Sequence, residues 1–290
     1  MRLVQVRYDG ATTAAVLENG GCRPIPGRTV SDLLAAADSR GIPVASAVEG
    51  ELSAGGASHQ DAALVDPSGL LIPLFPEEVW GCGCTYAPSA DFRDGELGAR
   101  EGMYSYVLDP ANRPETFFKG TARVCVGPDS PIGIRRDSSF TAPEPELGIV
   151  TGSSLSLLGF TLGNDVSAWD IERENPLYLP QSKVYKACCS LGPVFVTPDE
   201  VPEPYALEMT CTIRRGGATI FEGSASTAQL RRTFEELIEY VGRSNVVPTP
   251  TVILTGTGII VEQDAALQPG DVCSIHVPEI GTLSNPAAWV

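Results

Sequence analysis

The sequence predicts an α+β, strand-rich protein: a small N-terminal α+β unit over residues 1–75, then a larger strand-rich domain over residues 76–290. Three observations carry this. Short apolar runs recur between glycine and proline signals from residue 79 onward, the pattern of many short strands. Apolar residues fall at helical spacing near residues 31–40 and 228–243. The composition, 43% apolar and 19% charged over 290 residues, is that of a globular chain long enough for a well-buried core.

Taken in order, residues 1–20 alternate apolar and polar side chains around Asp9-Gly10, as a strand pair does. They lack the continuous apolar core of a targeting signal. A helix is expected over residues 31–40, with Ser31 as its N-cap, Leu33 and Leu34 on its apolar face and Gly41 as its stop. The stretch SAGGASHQDAA reads as a surface loop, and LIPLFP, closing on two prolines, as the boundary of the first unit. Beyond it RVCVG, ELGIVTG, GFTLGND, GPVFVTP, EMTCTIRR, TVILTGTGIIV and DVCSIHV read as strands. The helix over residues 228–243 carries Leu230, Phe234, Leu237, Ile238 and Val241 on one face, with Ser226 or Thr227 as cap. No solenoid-period repeat is present.

The formal net charge of −16 repels phosphate backbones and anionic lipid, which argues against nucleic-acid and membrane-surface partners. It also means that an anionic substrate needs a local cation to hold it. No stretch has the apolar length to span a bilayer. The eight cysteines form no CxxC pair, and Cys82/Cys84 and Cys188/Cys189 are poorly spaced for zinc. They read as small buried hydrophobes in a reducing, cytoplasmic setting.

The chemistry begins at APEPELGIV. Glu144 and Glu146 are two apart in a strand-like run, so both side chains point to one face. Two carboxylates aimed at one place repel unless a cation or a shared proton lies between them. The plain alternative is a solvent-facing acidic pair on an edge strand. Asp165 follows Gly-Asn, read as a turn at the end of an apolar run, where it can face a cleft. An all-carboxylate oxygen set suits Mg²⁺, with Mn²⁺ or Ca²⁺ as alternatives, and not zinc.

The order PEPEL, GNDVSAWDIE, QSKVY, LTGTG resembles the fumarylacetoacetate hydrolase family over residues 78–286, and ENPLYLPQSKVYKACCSLGP is similar to its 2-keto-3-deoxy-sugar-acid dehydratase branch. The resemblance implies a mixed β-roll catalytic domain, Mg²⁺ on Glu144, Glu146 and Asp165, and a homodimer or homotetramer. The family's Ser-Ala-Arg-Asp is here Ser167-Ala168-Trp169-Asp170, so Asp170 needs another partner. Lys183 matches the family's catalytic lysine. Near a bound metal its pKa should fall, making it a base or a clamp on an anionic oxygen; the alternative is a surface lysine. Thr257 matches the family's Gly-Thr and would hold a substrate carboxylate, against the alternative of a plain glycine-rich turn. In PETFFKG, Glu115 and Lys119 share a face of an extended segment. By resemblance they line the site, Lys119 holding a carboxylate and Glu115 shuttling a proton; an edge-strand ion pair is the alternative. Tyr86, Ser89 and Arg93 fall in a loop resembling the family's substrate-contacting loop, and DGELGAREGMY reads as a lid.

Hydrolytic members of that family use a His–Glu pair to activate water. His59 falls in the N-terminal loop and His276 inside a strand, neither within residues 86–106 where that base belongs, so lysine and glutamate are the available acid/base groups. Three functions follow. The first is a Mg²⁺-dependent dehydratase of a 2-keto-3-deoxy sugar acid or similar 2-oxo acid, with Lys183 or Glu115 as base and Glu115 as acid. The second keeps the metal but hydrolyses an acylpyruvate C–C bond or decarboxylates an oxaloacetate-like acid, with specialised metabolism as a further setting. The third is a non-catalytic binding homologue.

Overall fold

The computed structural model describes residues 1–19, 21–55, 69–97 and 102–290. His59 and part of the expected lid lie outside the described residues. The frame is a ten-stranded sheet. Its order runs Gly21–Ile25, Ala11–Glu18, Arg2–Tyr8, Cys189–Val196, Gly159–Asp165, Pro145–Thr151, Thr251–Leu254, Glu78–Gly83 and Glu115–Gly120, with Cys125–Val126 beside Cys189–Val196. The strands of the first 75 residues thus extend the larger sheet, through antiparallel pairing of Arg2 with Val196 and Leu3 with Phe195.

Alternation along the central strands feeds two cores. Leu3, Val150, Val252 and Leu254 pack under the N-terminal helices with Leu33 and Leu34. Their neighbours Val4, Ile149 and Ile253 face the other way. There they meet a five-stranded sheet of Ala218–Ser226, Glu208–Arg215, Val272–Val277, Gly281–Trp289 and Ile132–Ile134, and the helix Phe234–Gly242. Strands covered on both faces, such as Pro145–Thr151 and Gly159–Asp165, are buried at every position and therefore read as continuous apolar runs. Glu208–Arg215, solvated on one face, alternates.

Four local expectations are corrected. The first helix, Val30–Arg40, is capped by Thr29 in a capping box with Asp32, not by Ser31, whose hydroxyl instead holds the Phe75 backbone. It ends at Gly41 as read, and a second helix, Val44–Ala54, follows. The helix expected over 228–243 is confined to Phe234–Gly242 with Thr233 as cap, while Ser226 caps a separate 3₁₀ turn. Residues 230–232 stay non-helical because their polar groups are taken elsewhere, as Arg231 N–H donates to the Thr85 carbonyl at 3.0 Å. Asp165 ends a strand that runs through Gly163-Asn164 without a turn. The loop around Tyr86–Arg93 becomes the helix Ala87–Leu97. Among the described residues no helix is long and apolar enough to cross a membrane.

Candidate active site

Register brings the acidic groups together. Glu146 lies opposite Gly163 on the neighbouring strand, and Asp165 N–H donates to the Glu144 carbonyl at 2.9 Å. By strand parity Glu146 shares the face of Val150, and Asp165 the face opposite Phe160 and Leu162, so all three carboxylates emerge on one side of the sheet. Each is buried, and one ligand oxygen from each lies within 4.8 Å of the others. The main chain fixes them further: Glu144 N–H donates to Asn164 Oδ1 at 3.1 Å, and Gly256 N–H to Glu146 Oε2 at 2.5 Å. Gly256 has φ +92°, and a Cβ there would press on the Cys82 carbonyl and the Thr85 hydroxyl.

Lys183 is the last residue of a short helix, Leu179–Lys183, and it is buried, not the surface lysine of the alternative reading. Its Nζ donates to Glu144 Oε2 at 2.8 Å, Asp165 Oδ2 at 2.9 Å and Ser167 Oγ at 2.6 Å. Lys119 sits behind Asp165, ion-paired to its Oδ1 and donating to the Val166 carbonyl at 2.9 Å. Glu115, Phe117 and Lys119 share one face of Glu115–Gly120, as their spacing requires. Glycine at 83 makes room, since a Cβ there would collide with the Glu115 carboxylate, whose buried Oε2 has no hydrogen-bond partner among the described residues.

Charge is unevenly shared. Burial, then the charges of Asp165 and Glu144, push the Glu146 carboxyl well above its ordinary value, against the pull of Lys183 and the Gly256 amide. Burial also works to raise Asp165, but Lys119 and Lys183 outweigh it and hold that carboxyl low. Burial raises Glu115, with Arg93 opposing. For Lys183 burial favours the neutral amine, yet Asp165 and Glu144 win and keep it an ammonium. In the chain itself its pKa therefore rises, opposite to the fall expected beside a metal.

Arg93 is buried, donating to Glu172 Oε1 at 2.8 Å and reaching Glu144 Oε1 at 3.5 Å. Its guanidinium lies 4.9 Å from the Trp169 ring centre and 5.6 Å from that of Tyr104. Asp170, beside Trp169, takes Ser138 Oγ at 2.6 Å and Ser139 N–H at 2.7 Å as partners. Ser89, Arg93, Phe117 and Thr257 line the cleft with the triad and Lys183. The Thr257 hydroxyl is engaged locally with Ile259 N–H at 3.1 Å, and Tyr86 lies against the Gly258 backbone. Of the histidine expectations, His276 is on the exposed face of its strand, bonded to Thr282 at 2.9 Å. Sequence reading missed Ser167, Glu172 and the Gly256 amide as site groups, and Cys82 and Cys84 as cleft lining. The alternating glycines of WGCGC, which clear space for the facing strand, were the available signal.

Three buried carboxylates, one of them driven toward its protonated form by burial and then by the other two, are a donor set matched to a hard divalent cation. Comparison with known proteins agrees with this geometry. The family described as fumarylacetoacetate (FAA) hydrolase, C-terminal, matches residues 99–288, more than half of the sequence, and the chain belongs to that family. A probable 2-keto-3-deoxyxylonate dehydratase of Haloferax volcanii is 46% identical over 235 residues, 80% of each chain. A 2-dehydro-3-deoxy-D-arabinonate dehydratase of Saccharolobus solfataricus is 46% identical over 217 residues, 74% of this chain and 72% of that one. The solved structure of 2-keto-3-deoxy-D-arabinonate dehydratase complexed with magnesium and 2,5-dioxopentanoate superposes with a TM-score of 0.81 at 35% identity, covering 100% of this chain and 99% of the other.

Proposed function

We propose that this chain is a Mg²⁺-dependent dehydratase of a 2-keto-3-deoxy sugar acid. The observation that carries the reading is the buried Glu144–Glu146–Asp165 cluster with Lys183 Nζ 2.8 Å from one carboxylate and 2.9 Å from another. The names of the two 46%-identical relatives and of the magnesium complex support it. Glu144, Glu146 and Asp165 would hold the cation, with Mn²⁺ or Ca²⁺ as substitutes. When bound, the cation supplies Lewis-acid stabilisation of an enolate and, as a like charge, lowers the proton affinity of Lys183.

On this reading Lys183 Nζ removes the C3 proton, and the Ser167 hydroxyl keeps the amine aimed. Glu115, whose carboxyl is raised by burial, gives its proton to the departing β-hydroxyl. Lys119 stays charged against Asp165 and supplies positive potential for the substrate carboxylate, with Thr257, Ser89, Arg93 and Tyr86 shaping the rest of the cleft. Residues 76–290 carry every one of these groups, and residues 1–75 form a covering unit. The reading includes a cytoplasmic setting, supported by free thiols at Cys82, Cys84, Cys188 and Cys189, and a homodimer or homotetramer. The test is product analysis with Mg²⁺ across 2-keto-3-deoxy acids, acylpyruvates and oxaloacetate. Loss of water from the first class alone is expected. Pyruvate plus a carboxylic acid, or CO₂, as main products overturns the proposal in favour of the hydrolase or decarboxylase.

A further inference from the structure

A buried cation outside the cleft grips the segment that leads into it. Arg232 is 2% exposed and lies in the non-helical stretch before Phe234–Gly242. Its Nη2 donates to the carbonyls of Val107 at 2.6 Å and Asp109 at 2.8 Å. Its Nη1 donates to the carbonyls of Asn112 at 2.9 Å and Pro110 at 3.2 Å, and to Glu236 Oε1 at 2.6 Å. Four carbonyls from one short stretch thus converge on one guanidinium. Burying that charge is unfavourable unless its donors are met, and here both terminal nitrogens are engaged while Nε has no partner among the described residues. Val107 belongs to the last turn of the helix Met103–Leu108, where carbonyls have no intrahelical partner.

The gripped stretch has a site group at each end. Upstream, Tyr104 packs with Cys84 and Ala90 and faces Arg93. Downstream, the chain turns at Asn112 and enters the strand that begins at Glu115. A second tie runs to the same helix, with the Arg113 guanidinium 5.6 Å from the Tyr240 ring centre. The backbone beside Arg232 is itself anchored to the site floor. Arg231 N–H binds the Thr85 carbonyl, and Thr85 Oγ1 donates to the Thr255 carbonyl at 2.6 Å, next to Gly256.

We propose that Arg232 is a positioning residue: it holds residues 107–112 so that Tyr104 stays packed with Cys84 and the Glu115 carboxyl stays against Gly83, which lines the cleft. The effect on turnover rests on the dehydratase reading, in which Glu115 moves a proton; the hold on the segment does not. A guanidinium is needed because its fork spans the array, whereas an ammonium presents its donors from one point.

The test compares wild type with Arg232→Lys by amide hydrogen exchange, mass-resolved thiol labelling of Cys84, Mg²⁺ calorimetry and kinetics. Exchange over residues 103–114 and labelling of Cys84 should accelerate while Pro145–Thr151 stays protected. Turnover should fall about 10- to 100-fold, the cost of a misplaced group, with KM and Mg²⁺ affinity near wild type. Unchanged exchange overturns the proposal, as does faster exchange with wild-type kcat, or loss of Mg²⁺ affinity in step with activity. Should Arg232→Lys not fold, Glu236→Gln, which removes only the outer carboxylate, goes through the same measurements. It should move all of them in the same direction by less, and no movement overturns the proposal. A wild type that eliminates water from no 2-keto-3-deoxy acid fails the dehydratase reading separately, and exchange with Cys84 labelling still decides the hold.

Discussion

Glu146 is the residue at which the site's electrostatics are most exposed to experiment. Its carboxylate is opposed by burial and then by Asp165 and Glu144, and relieved by the Lys183 ammonium and one amide. A divalent cation among the three oxygens removes that conflict. Glu146→Gln should therefore weaken Mg²⁺ binding in calorimetry and nearly abolish turnover, while metal-free melting is unchanged or improved because a repulsion is gone. Full activity at limiting Mg²⁺ contradicts the ligand assignment. Lys183→Ala and Glu115→Ala should each cost about 10²- to 10⁴-fold in turnover, the usual span for one acid/base group, with Mg²⁺ binding retained. His276→Ala should leave turnover intact, since its ring lies on an exposed strand face and bonds the Thr282 hydroxyl. A hydrolase working through that histidine requires the reverse.

At the scale of elements, Asp38 ties the end of the first helix to the sheet. It accepts from Ser153 N–H at 3.0 Å, Ser153 Oγ at 2.8 Å, Thr249 Oγ1 at 2.5 Å and the Ser154 hydroxyl. Burial works to raise its carboxyl, but these donors together hold it below the ordinary 3.8. A depressed pKa gives stability that is present above 3.8 and is lost as pH falls through the lower native value. Asp38→Ala should therefore cost about 2 kcal/mol at neutral pH, the scale of hydrogen bonds to a charged group, and the gap between variant and wild type should close in acid. Denaturant titrations at pH 7 and pH 2 check both. Elements differ in how legible they were. The Glu144/Glu146 pair was readable because strand parity alone decides where both side chains point. The start of the helix Phe234–Gly242 was not, because residues 230–232 have helix-compatible chemistry and are diverted by distant carbonyls. Arg93 was legible as a site group and not as a stacked one: Trp169 and Tyr104 reach it from separate segments. The state of Lys183 depends on which charges are present: the sequence reading set it beside a bound metal, whereas in the chain itself its nearest charges are Glu144 and Asp165.

Across the whole molecule, one ten-stranded sheet backed by helices on one side and a five-stranded sheet on the other sets the triad at a strand end. The five-stranded sheet closes on an edge, Ala218–Ser226, that is mostly exposed and carries Ile220 at 36% exposure. Edges of this kind need covering, which with the family resemblance leads us to expect a dimer or a dimer of dimers. Sedimentation at micromolar concentration should show no monomer, and a monomer contradicts that expectation. The reaction is tested most directly by running a 2-keto-3-deoxy acid with the enzyme and Mg²⁺ in D₂O and reading the product by NMR. Loss of the C4 hydroxyl from a C3 enolate leaves a C3–C4 double bond conjugated to the 2-oxo group. In a substrate with a C5 hydroxyl its isomerisation to the 5-oxo acid, by loss of a C5 proton, takes up solvent protons at C3 and C4, so the product should carry deuterium at both carbons and retain every carbon of the substrate. A product unlabelled at C3, or a second carbon fragment, would contradict dehydration by this site.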